Sequence, residues 1–152
     1  MIIETYSPVQ TRVLGRRLGG VLRGLDVICL YGNLGSGKTT LTQGLARGAG
    51  FRGRVVSPTF NLMRVYKAGK RRIFHIDLYR VSVDETGDIG LEDALSDPEG
   101  ICIIEWPEAG DGFYPSDRLE LRLSHAEGGQ ARRIVLSGHG PRSRDILRRI
   151  KD

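Results

Sequence analysis

The chain has 152 residues, a length that predicts one domain covering residues 1–152. Its composition, 39% hydrophobic and 27% charged, is typical of a soluble globular protein. No apolar run approaches the ~20 residues that a membrane-spanning helix needs. The first residues also lack the pattern of a signal peptide. We therefore expect a cytoplasmic protein that does not bind a membrane.

The net charge of +5 comes from basic residues that are spread along the chain. They cluster only at residues 67–72 and 142–151, and neither cluster contains interleaved aromatic side chains. We therefore expect solvated surface at both places, with an acidic protein partner or RNA as the alternatives. Cys29 and Cys102 fall inside apolar runs, so we expect buried hydrophobic side chains and assign them no metal and no disulfide.

The first third of the chain predicts a strand, a helix, a strand and a second helix. A short strand at residues 2–6 is followed by Ser7 and Pro8, which are typical of a helix N-cap and first turn. Apolar residues at helical spacing then continue to about Gly24. A buried strand at residues 26–31 follows, and a second helix ends near residue 49.

The rest of the chain predicts two hairpins around a buried strand. Residues 55–60 contain a proline and are interpreted as a loop or strand edge. The predicted elements after it are a hairpin of strands at 61–67 and 71–78, a short helix at 91–95, a strand at 101–105, a hairpin of strands at 118–124 and 132–136, and a basic helix at 142–152.

One motif lies between the second strand and the second helix. Gly32-Asn33-Leu34-Gly35-Ser36-Gly37-Lys38-Thr39 matches G-x-x-x-x-G-K-[ST], the phosphate-binding P-loop. Glycines let backbone N–H groups curl around a phosphate chain, and the N-terminus of the next helix adds partial positive charge. We therefore predict nucleotide contacts from Leu34, Gly35, Ser36, Gly37, Lys38, Thr39 and Thr40.

The motif predicts an α/β fold of the P-loop NTPase type. We expect a central mixed, mostly parallel β-sheet that is flanked by helices and carries antiparallel hairpins. The phosphate site then lies at the carboxyl end of the second strand.

A lysine, a hydroxyl group and a carboxylate are expected to complete the nucleotide site. Lys38 is predicted to bind the β- and γ-phosphates of ATP or ADP, and the Thr39 hydroxyl to bind Mg²⁺. Glu105 follows four apolar strand residues, so it is predicted to reach the same sheet edge and hold Mg²⁺ or its waters. The alternative for Glu105 is an acid that bonds nearby backbone.

Several other residues are weaker candidates. Asp77 ends an apolar strand, and we expect it to assist Mg²⁺ or to orient water. Thr59 is a candidate sensor of the γ-phosphate on a proline-stiffened loop. Trp106 is predicted either in the core or on a partner surface, and Arg80 is a weak candidate for stabilising charge. His75 alone indicates a packed or surface residue rather than a metal ligand.

Four motifs together resemble the TsaE (YjeE) family of small bacterial P-loop ATPases. The resemblance covers about Tyr6 to Glu108, and beyond Gly112 it consists of the hairpin alone. Asn33 and Ser36 depart from the loop sequence that is more frequent in the family, at positions where backbone amides bind. The motifs are residues 32–40, Ser57-Pro58-Thr59-Phe60, His75-Ile76-Asp77-Leu78-Tyr79-Arg80 and Ile104-Glu105-Trp106-Pro107-Glu108.

The resemblance implies an ATPase that assists formation of threonylcarbamoyladenosine next to the anticodon of certain tRNAs. Its partners would be a threonylcarbamoyl-transferring subunit and that subunit's inactive homologue, which are TsaD-like and TsaB-like, while tRNA would be contacted indirectly. Lys38, Asp77 and Glu105 would be the catalytic residues, with Thr39 and Glu105 on Mg²⁺ and Thr59 on a switch-like loop.

Two other functions stay open at this point. One is a small-molecule kinase on the same fold, which the acidic, arginine-free segment at residues 84–98 disfavours because such enzymes usually carry an arginine-bearing lid. The other is a nucleotide-dependent adaptor for which hydrolysis is not essential. The adenine site has only weak candidates, near Ser7-Pro8 and near the Gly128-Gly129 turn.

Overall fold

The computed structural model describes residues 1–58, 62–82, 85 and 89–151. Its strands are β1 (Ile2–Thr5), β2 (Val27–Tyr31), β3 (Met63–Ala68), β4 (Arg71–Asp77), β5 (Gly100–Glu105), β6 (Leu119–His125) and β7 (Arg132–Gly138). Its α-helices are α1 (Pro8–Val21), α2 (Lys38–Gly48), α3 (Leu91–Ser96) and α4 (Pro141–Arg149), and a short 3₁₀ turn spans Pro107–Gly110. The order of elements agrees with the one predicted from the sequence.

The strands form one sheet of seven in the order β1-β7-β6-β2-β5-β4-β3. The four central strands, β6, β2, β5 and β4, are parallel to one another, and the outer strands β1, β7 and β3 pair antiparallel. The predicted mixed sheet with a mostly parallel centre is therefore confirmed. Because β2, β4 and β5 are parallel, their carboxyl ends meet at one edge, where ligands bind in open α/β sheets.

Two apolar clusters cover the faces of the sheet. On one face, α1, α2 and α4 pack through residues such as Leu18, Leu45 and Ile146 against Ile28 and Ile103. On the other face, α3 packs against a smaller cluster that includes Cys29 and Cys102. Burial raises the pKa of both thiols, that of Cys102 to about 12, so both cysteines are buried hydrophobic side chains as predicted.

Helices α1 and α2 approach each other closely because glycines line their contact. A Cβ atom added at Gly19 would overlap the carbonyl oxygen of Leu45, and one added at Gly44 would overlap the carbonyl oxygen of Arg12. Gly15 and Gly48 are equally restricted. At the start of α1, the Ser7 hydroxyl accepts a hydrogen bond from the Gln10 N–H at 3.2 Å, as its predicted N-cap role requires.

The N-terminus of helix α4 is capped by a carboxylate that is distant in sequence. The Asp117 carboxylate accepts hydrogen bonds from the N–H groups of Arg142 (2.7 Å) and Ser143 (2.9 Å). The Arg142 guanidinium in turn donates to both oxygens of Asp26, at 2.9 and 2.7 Å. The helix therefore spans Pro141–Arg149, one residue earlier at its start than predicted and shorter at its end.

Helix α1 ends at Val21, three residues before the Gly24 at which its predicted pattern stops, and the other boundaries lie within two residues of the predicted ones where the structure describes them. Residue 61, the predicted start of β3, lies outside the described residues. Residues 55–58 belong to no strand or helix, which agrees with the predicted loop. Among the described residues, no helix combines the length and apolar character required to cross a membrane.

Candidate functional site

The loop between β2 and α2 has the backbone that the glycine pattern predicts. Gly32, Gly35 and Gly37 have φ angles of 150°, 77° and 104°, which side chains other than hydrogen rarely tolerate. Helix α2 begins at Lys38 directly after them. The N–H groups of its first turn have no acceptor within the helix and carry partial positive charge. The geometry of the loop and the helix end is suited to binding an anion.

Lys38 is held inside this loop. Its ammonium group donates to the carbonyl oxygens of Gly32 at 2.5 Å and Asn33 at 2.9 Å, and it lies 4.3 Å from the centroid of the Trp106 ring. Only 6% of Lys38 is exposed. Burial lowers the pKa of Lys38, and the nearby carboxylates of Glu105 and Asp77 oppose that shift.

Two carboxylates lie at the ends of neighbouring strands. β4 and β5 are parallel with Asp77 opposite Glu105, so both side chains project on the same face of the sheet at its carboxyl edge. Glu105 is 2% exposed, and its Oε1 accepts from the hydroxyl groups of Thr39 at 3.3 Å and Thr42 at 3.5 Å. The structure therefore brings Thr39 and Glu105 together.

Asp77 is half-buried beside Glu105. Burial raises the pKa of the Asp77 carboxyl, the negative charge of Glu105 raises it further, and a hydrogen bond from the Tyr79 N–H at 3.0 Å lowers it. Its carboxyl therefore holds a proton more readily than an exposed aspartate does, and the two acids repel each other when both are ionised.

The loop and the carboxylates line a cavity of about 310 Å³. A smaller cleft adjoins it, formed by residues from α1, α2 and the β6–β7 turn, namely Ser7, Pro8, Thr11, Gly37, Thr40, Gln130 and Arg132. The structure thus brings the Ser7-Pro8 region close to the β6–β7 turn, the two places that the sequence suggested for adenine. The cavity is lined by Leu34, Gly35, Gly37, Lys38, Thr39, Thr40, Ser57, Asp77, Glu105, Trp106 and Arg132.

The remaining predicted residues occupy different environments. Ser36 is buried within the loop, whereas 66% of Leu34 is exposed. Trp106 is half-buried and packs against Tyr79, with ring centroids 4.7 Å apart, so it belongs to the wall of the site. Arg80 is exposed. Thr59 lies outside the described residues.

Sequence reasoning missed Arg132 and Tyr66, and it predicted His75 as a packed or surface residue without placing it beside Glu105. Arg132 lines the cavity, and its guanidinium donates to the carbonyl oxygen of Gly35 at 3.3 Å. His75 is fully buried, and its Nε2 lies 3.6 Å from Glu105 Oε2. Tyr66 bonds to His75 from the next strand, with its hydroxyl oxygen 3.1 Å from Nδ1. The period-2 alternation of β4 places His75 on the same face as Asp77, which is the one sequence signal for its position.

A glycine-rich loop between a parallel strand and a helix, with a lysine, a hydroxyl group and two carboxylates converging on it, defines a P-loop nucleotide-binding protein. Comparison with known proteins makes the assignment more specific. The family model described as "Threonylcarbamoyl adenosine biosynthesis protein TsaE" matches residues 5–134, most of the chain. The chain belongs to the TsaE family.

Individual relatives agree with the family model. The chain is 43% identical over 138 residues to the tRNA threonylcarbamoyladenosine biosynthesis protein TsaE of Streptomyces coelicolor, an alignment that covers 86% of this chain and 92% of the relative. It is 35% identical to the TsaE protein of Haemophilus influenzae, with 95% of each chain covered.

A solved structure has the same fold. The crystal structure of YdiB from Bacillus subtilis superimposes with a TM-score of 0.80 at 27% sequence identity, covering 99% of this chain and 93% of that one. The sheet, its helices and the position of the loop therefore belong to a fold already known among solved proteins.

Proposed function

We propose that this chain is a Mg²⁺-dependent ATPase of tRNA threonylcarbamoyladenosine biosynthesis, and that its 152 residues form one ATPase domain. The relatives described above are named for that pathway. The observation that carries the proposed activity is the convergence of Lys38, Thr39, Asp77 and Glu105 on one loop at the carboxyl edge of the sheet. That set contains a phosphate-binding cation, a hydroxyl ligand and two acids, the groups that phosphoryl transfer requires.

The loop supplies the phosphate contacts. Backbone N–H groups from Gly35 to Thr40 bind the α- and β-phosphates, and the Lys38 ammonium moves from its carbonyl partners to the β- and γ-phosphates. The burial of Lys38 favours such an exchange, because an ammonium group gains more from an anion in a site that excludes water.

The donor set also fits Mg²⁺. The ion prefers oxygen ligands, and the Thr39 hydroxyl and the Glu105 carboxylate lie 3.3 Å apart, where one ion or its waters can reach both. Within the described residues no lysine or arginine lies within ion-pair distance of the buried Glu105 carboxylate, and Lys38 acts on it only from further away. When bound, Mg²⁺ would neutralise charge on the β- and γ-phosphate oxygens.

Hydrolysis would proceed by in-line attack of water. The water oxygen bonds to the γ-phosphorus as the bond to the β,γ-bridging oxygen breaks, giving ADP and dihydrogen phosphate, which keeps both protons of the water until one is released to solvent. Asp77 would orient that water, since its carboxyl is half-buried in the cavity wall and binds protons more readily than usual. The chain alone would turn over slowly, with a further stabilising group supplied by its partner.

Adenine is assigned to the cleft beside the phosphate cavity. Its walls come from α1 at Ser7 and Pro8 and from the hairpin at Gln130 and Arg132, so the base would lie between two segments distant in sequence. Arg132 belongs to both the cleft and the cavity, which suits a residue that contacts base and phosphate together.

The partner and the location follow the family. We assign as partner the complex of the threonylcarbamoyl-transferring subunit with its inactive homologue, in the cytoplasm, with tRNA contacted through that complex. ATP hydrolysis would reset the complex between rounds of tRNA modification.

The proposal is tested by phosphate release in the presence of the purified partner complex. Lys38→Ala should lower the partner-stimulated rate by about 100-fold or more, because one charge-stabilising donor is worth that much in such sites. Lys70→Ala is the matched control, since Lys70 is exposed in the β3–β4 turn. Threonylcarbamoyladenosine formed on tRNA, measured by mass spectrometry over several turnovers, should fall in parallel.

Two results would contradict the proposal. Unchanged phosphate release by Lys38→Ala would overturn the site assignment. Normal tRNA modification by a hydrolysis-deficient variant that still binds ATP would instead favour the adaptor function.

A further inference from the structure

Three buried side chains form a row across the sheet at the edge of the proposed active site. In the strand registers, Tyr66 of β3 is opposite Ile73 of β4, and His75 of β4 is opposite Ile103 of β5. His75 therefore lies two residues after Ile73, the partner of Tyr66, and Glu105 lies two residues after Ile103, the partner of His75. All three side chains are on the same face of the sheet. Long side chains reach each other across such diagonals. The exposures of Tyr66, His75 and Glu105 are 7%, 0% and 2%.

At one end of the row, Tyr66 forms hydrogen bonds with the backbone of the segment that precedes Thr59 in the sequence. The Tyr66 hydroxyl donates to the Val56 carbonyl oxygen at 2.8 Å and accepts from the Val56 N–H at 3.2 Å. Ser57, the next residue, lines the phosphate cavity. The hydroxyl thus holds a loop segment, with no regular secondary structure, directly beside the nucleotide site.

The other end of the row reaches the Mg²⁺-binding candidate. The Tyr66 hydroxyl oxygen is 3.1 Å from His75 Nδ1, and His75 Nε2 faces Glu105 Oε2 at 3.6 Å. Among the described residues, Nε2 has no hydrogen-bond partner although it is buried. A buried polar atom without a partner is costly, so an arrangement that keeps it aimed at a carboxylate calls for a reason.

We propose that Tyr66 and His75 are positioning residues, which fix the Glu105 carboxylate and tie its position to the backbone of Val56. The inference rests on the proposed function, because it concerns how Glu105 is held for the Mg²⁺–nucleotide complex. Glu105 Oε1 accepts hydrogen bonds from the hydroxyl groups of Thr39 and Thr42, and Oε2 lies 3.6 Å from His75 Nε2. A shift in the position of the Glu105 carboxylate is thereby linked, through His75 and Tyr66, to a shift in the backbone of the loop at Val56.

Tyr66→Phe removes only the hydroxyl group of this row. The ring that stacks on Phe51, with centroids 4.6 Å apart, is retained. Partners that hold a metal-binding carboxylate typically contribute about 10–100-fold to metal affinity or activity, so we expect kcat to fall about tenfold. The KM for ATP should stay within about twofold, because the phosphate-binding loop is untouched.

Two measurements do not depend on activity. With ADP bound, the Kd for Mn²⁺, measured by the paramagnetic resonance signal of the free ion, should rise about tenfold in Tyr66→Phe. Amide exchange at Val56, followed by NMR, should slow when Mg²⁺ and ADP bind to the wild-type chain. In Tyr66→Phe that exchange should be faster and should no longer respond to Mg²⁺ and ADP.

Tyr114→Phe is the matched control. It also loses one tyrosine hydroxyl bonded to a backbone carbonyl, that of Pro107 at 2.6 Å, but it packs in the smaller apolar cluster on the other face of the sheet. Tyr114→Phe should lose about as much stability as Tyr66→Phe does, without changing the Mn²⁺ Kd or the amide exchange rate of Val56.

A pair of histidine variants tests the row if Tyr66→Phe does not fold. The amide of Gln in His75→Gln reaches the Nε2 position, whereas that of Asn in His75→Asn reaches only the Nδ1 position. His75→Gln should therefore retain more Mn²⁺ affinity than His75→Asn, and neither should transmit nucleotide binding to Val56 as the wild type does.

The possible failures are distinguishable. If the wild-type chain with its partner complex hydrolyses no ATP, the proposed function fails and the positioning role fails with it. If the wild type hydrolyses ATP and binds Mn²⁺, but Tyr66→Phe matches Tyr114→Phe in the Mn²⁺ Kd and in Val56 exchange, the positioning role alone is overturned. Equal Mn²⁺ affinities of His75→Gln and His75→Asn would overturn it as well.

Discussion

The Lys38 ammonium group lies over the ring of Trp106, 4.3 Å from its centroid, and Trp106 is the single tryptophan of the chain. A cation over an indole ring contributes about 0.5–2 kcal/mol and alters the fluorescence environment of the ring. If phosphate draws Lys38 away, the emission of Trp106 should change upon ADP or ATP addition and saturate with nucleotide concentration. In Lys38→Met, the emission should stay constant at nucleotide concentrations that saturate the wild type. An unchanged wild-type signal, together with binding measured by calorimetry, would show that Lys38 does not move.

Neutralising Glu105 should stabilise the metal-free protein while removing activity. Glu105 is buried, and no lysine or arginine of the described residues lies within ion-pair distance of it, so Glu105→Gln should raise the free energy of unfolding by about 1 kcal/mol in EDTA. Partner-stimulated hydrolysis should fall by about 100-fold or more. Urea denaturation and phosphate release measure the two effects.

Glu120 provides the matched control for Glu105. It is also buried, with 6% exposed, but it pairs with Arg118 at 2.9 Å and Arg122 at 3.3 Å. Glu120→Gln should therefore lower stability and leave hydrolysis unchanged. Equal stability changes in the two variants would contradict the difference in ion pairing between Glu105 and Glu120.

Asp77 should make stability depend on pH. Its pKa is raised in the folded chain by burial and by Glu105, so the folded state takes up a proton more readily than the unfolded state does. In metal-free buffer, Asp77→Asn should be more stable than the wild type at pH 7. The difference should shrink as the pH falls through the raised pKa and should vanish near the ordinary value of about 4. Urea denaturation from pH 7 to pH 4 measures it; a difference independent of pH would contradict the prediction.

The contact between α1 and α2 should tolerate no added methyl group. Gly19→Ala would place a Cβ against the backbone of Leu45, and overpacking of this kind costs about 1–3 kcal/mol. Gly20, the next residue, has open space around a Cβ, so Gly20→Ala should instead stabilise the helix by about 0.5 kcal/mol. Thermal unfolding of both variants compares them; equal effects of Gly19→Ala and Gly20→Ala would contradict the role of the close helix contact.

Local sequence signals were sufficient for the sheet and for the centre of the site. The glycines around Lys38 have positive φ angles, and the apolar run before Glu105 is short and rich in β-branched isoleucine, as buried strands are, so both features are encoded in short segments. Ser7 and Pro8 likewise specify the start of α1 through their own side chains.

Features that depend on register or on distant contacts were not predictable in this way. The approach of Tyr66 to His75 depends on a diagonal between two strands, and alternation of apolar residues does not specify which side chains meet across it. Arg132 reaches Gly35 only because the β6–β7 hairpin packs beside the loop. The start of α4 is set by Asp117, which caps it from another segment.

The glycine contact of α1 with α2 has a mechanical consequence. Backbone packed on backbone contains no side chains that could change rotamer and let the helices slide past each other. The two helices should therefore move as one rigid body, carrying the Ser7-Pro8 wall and the amino end of α2 together. A structural response to nucleotide would then be concentrated in the segments that flank this body, the loop after α2 and the β6–β7 turn.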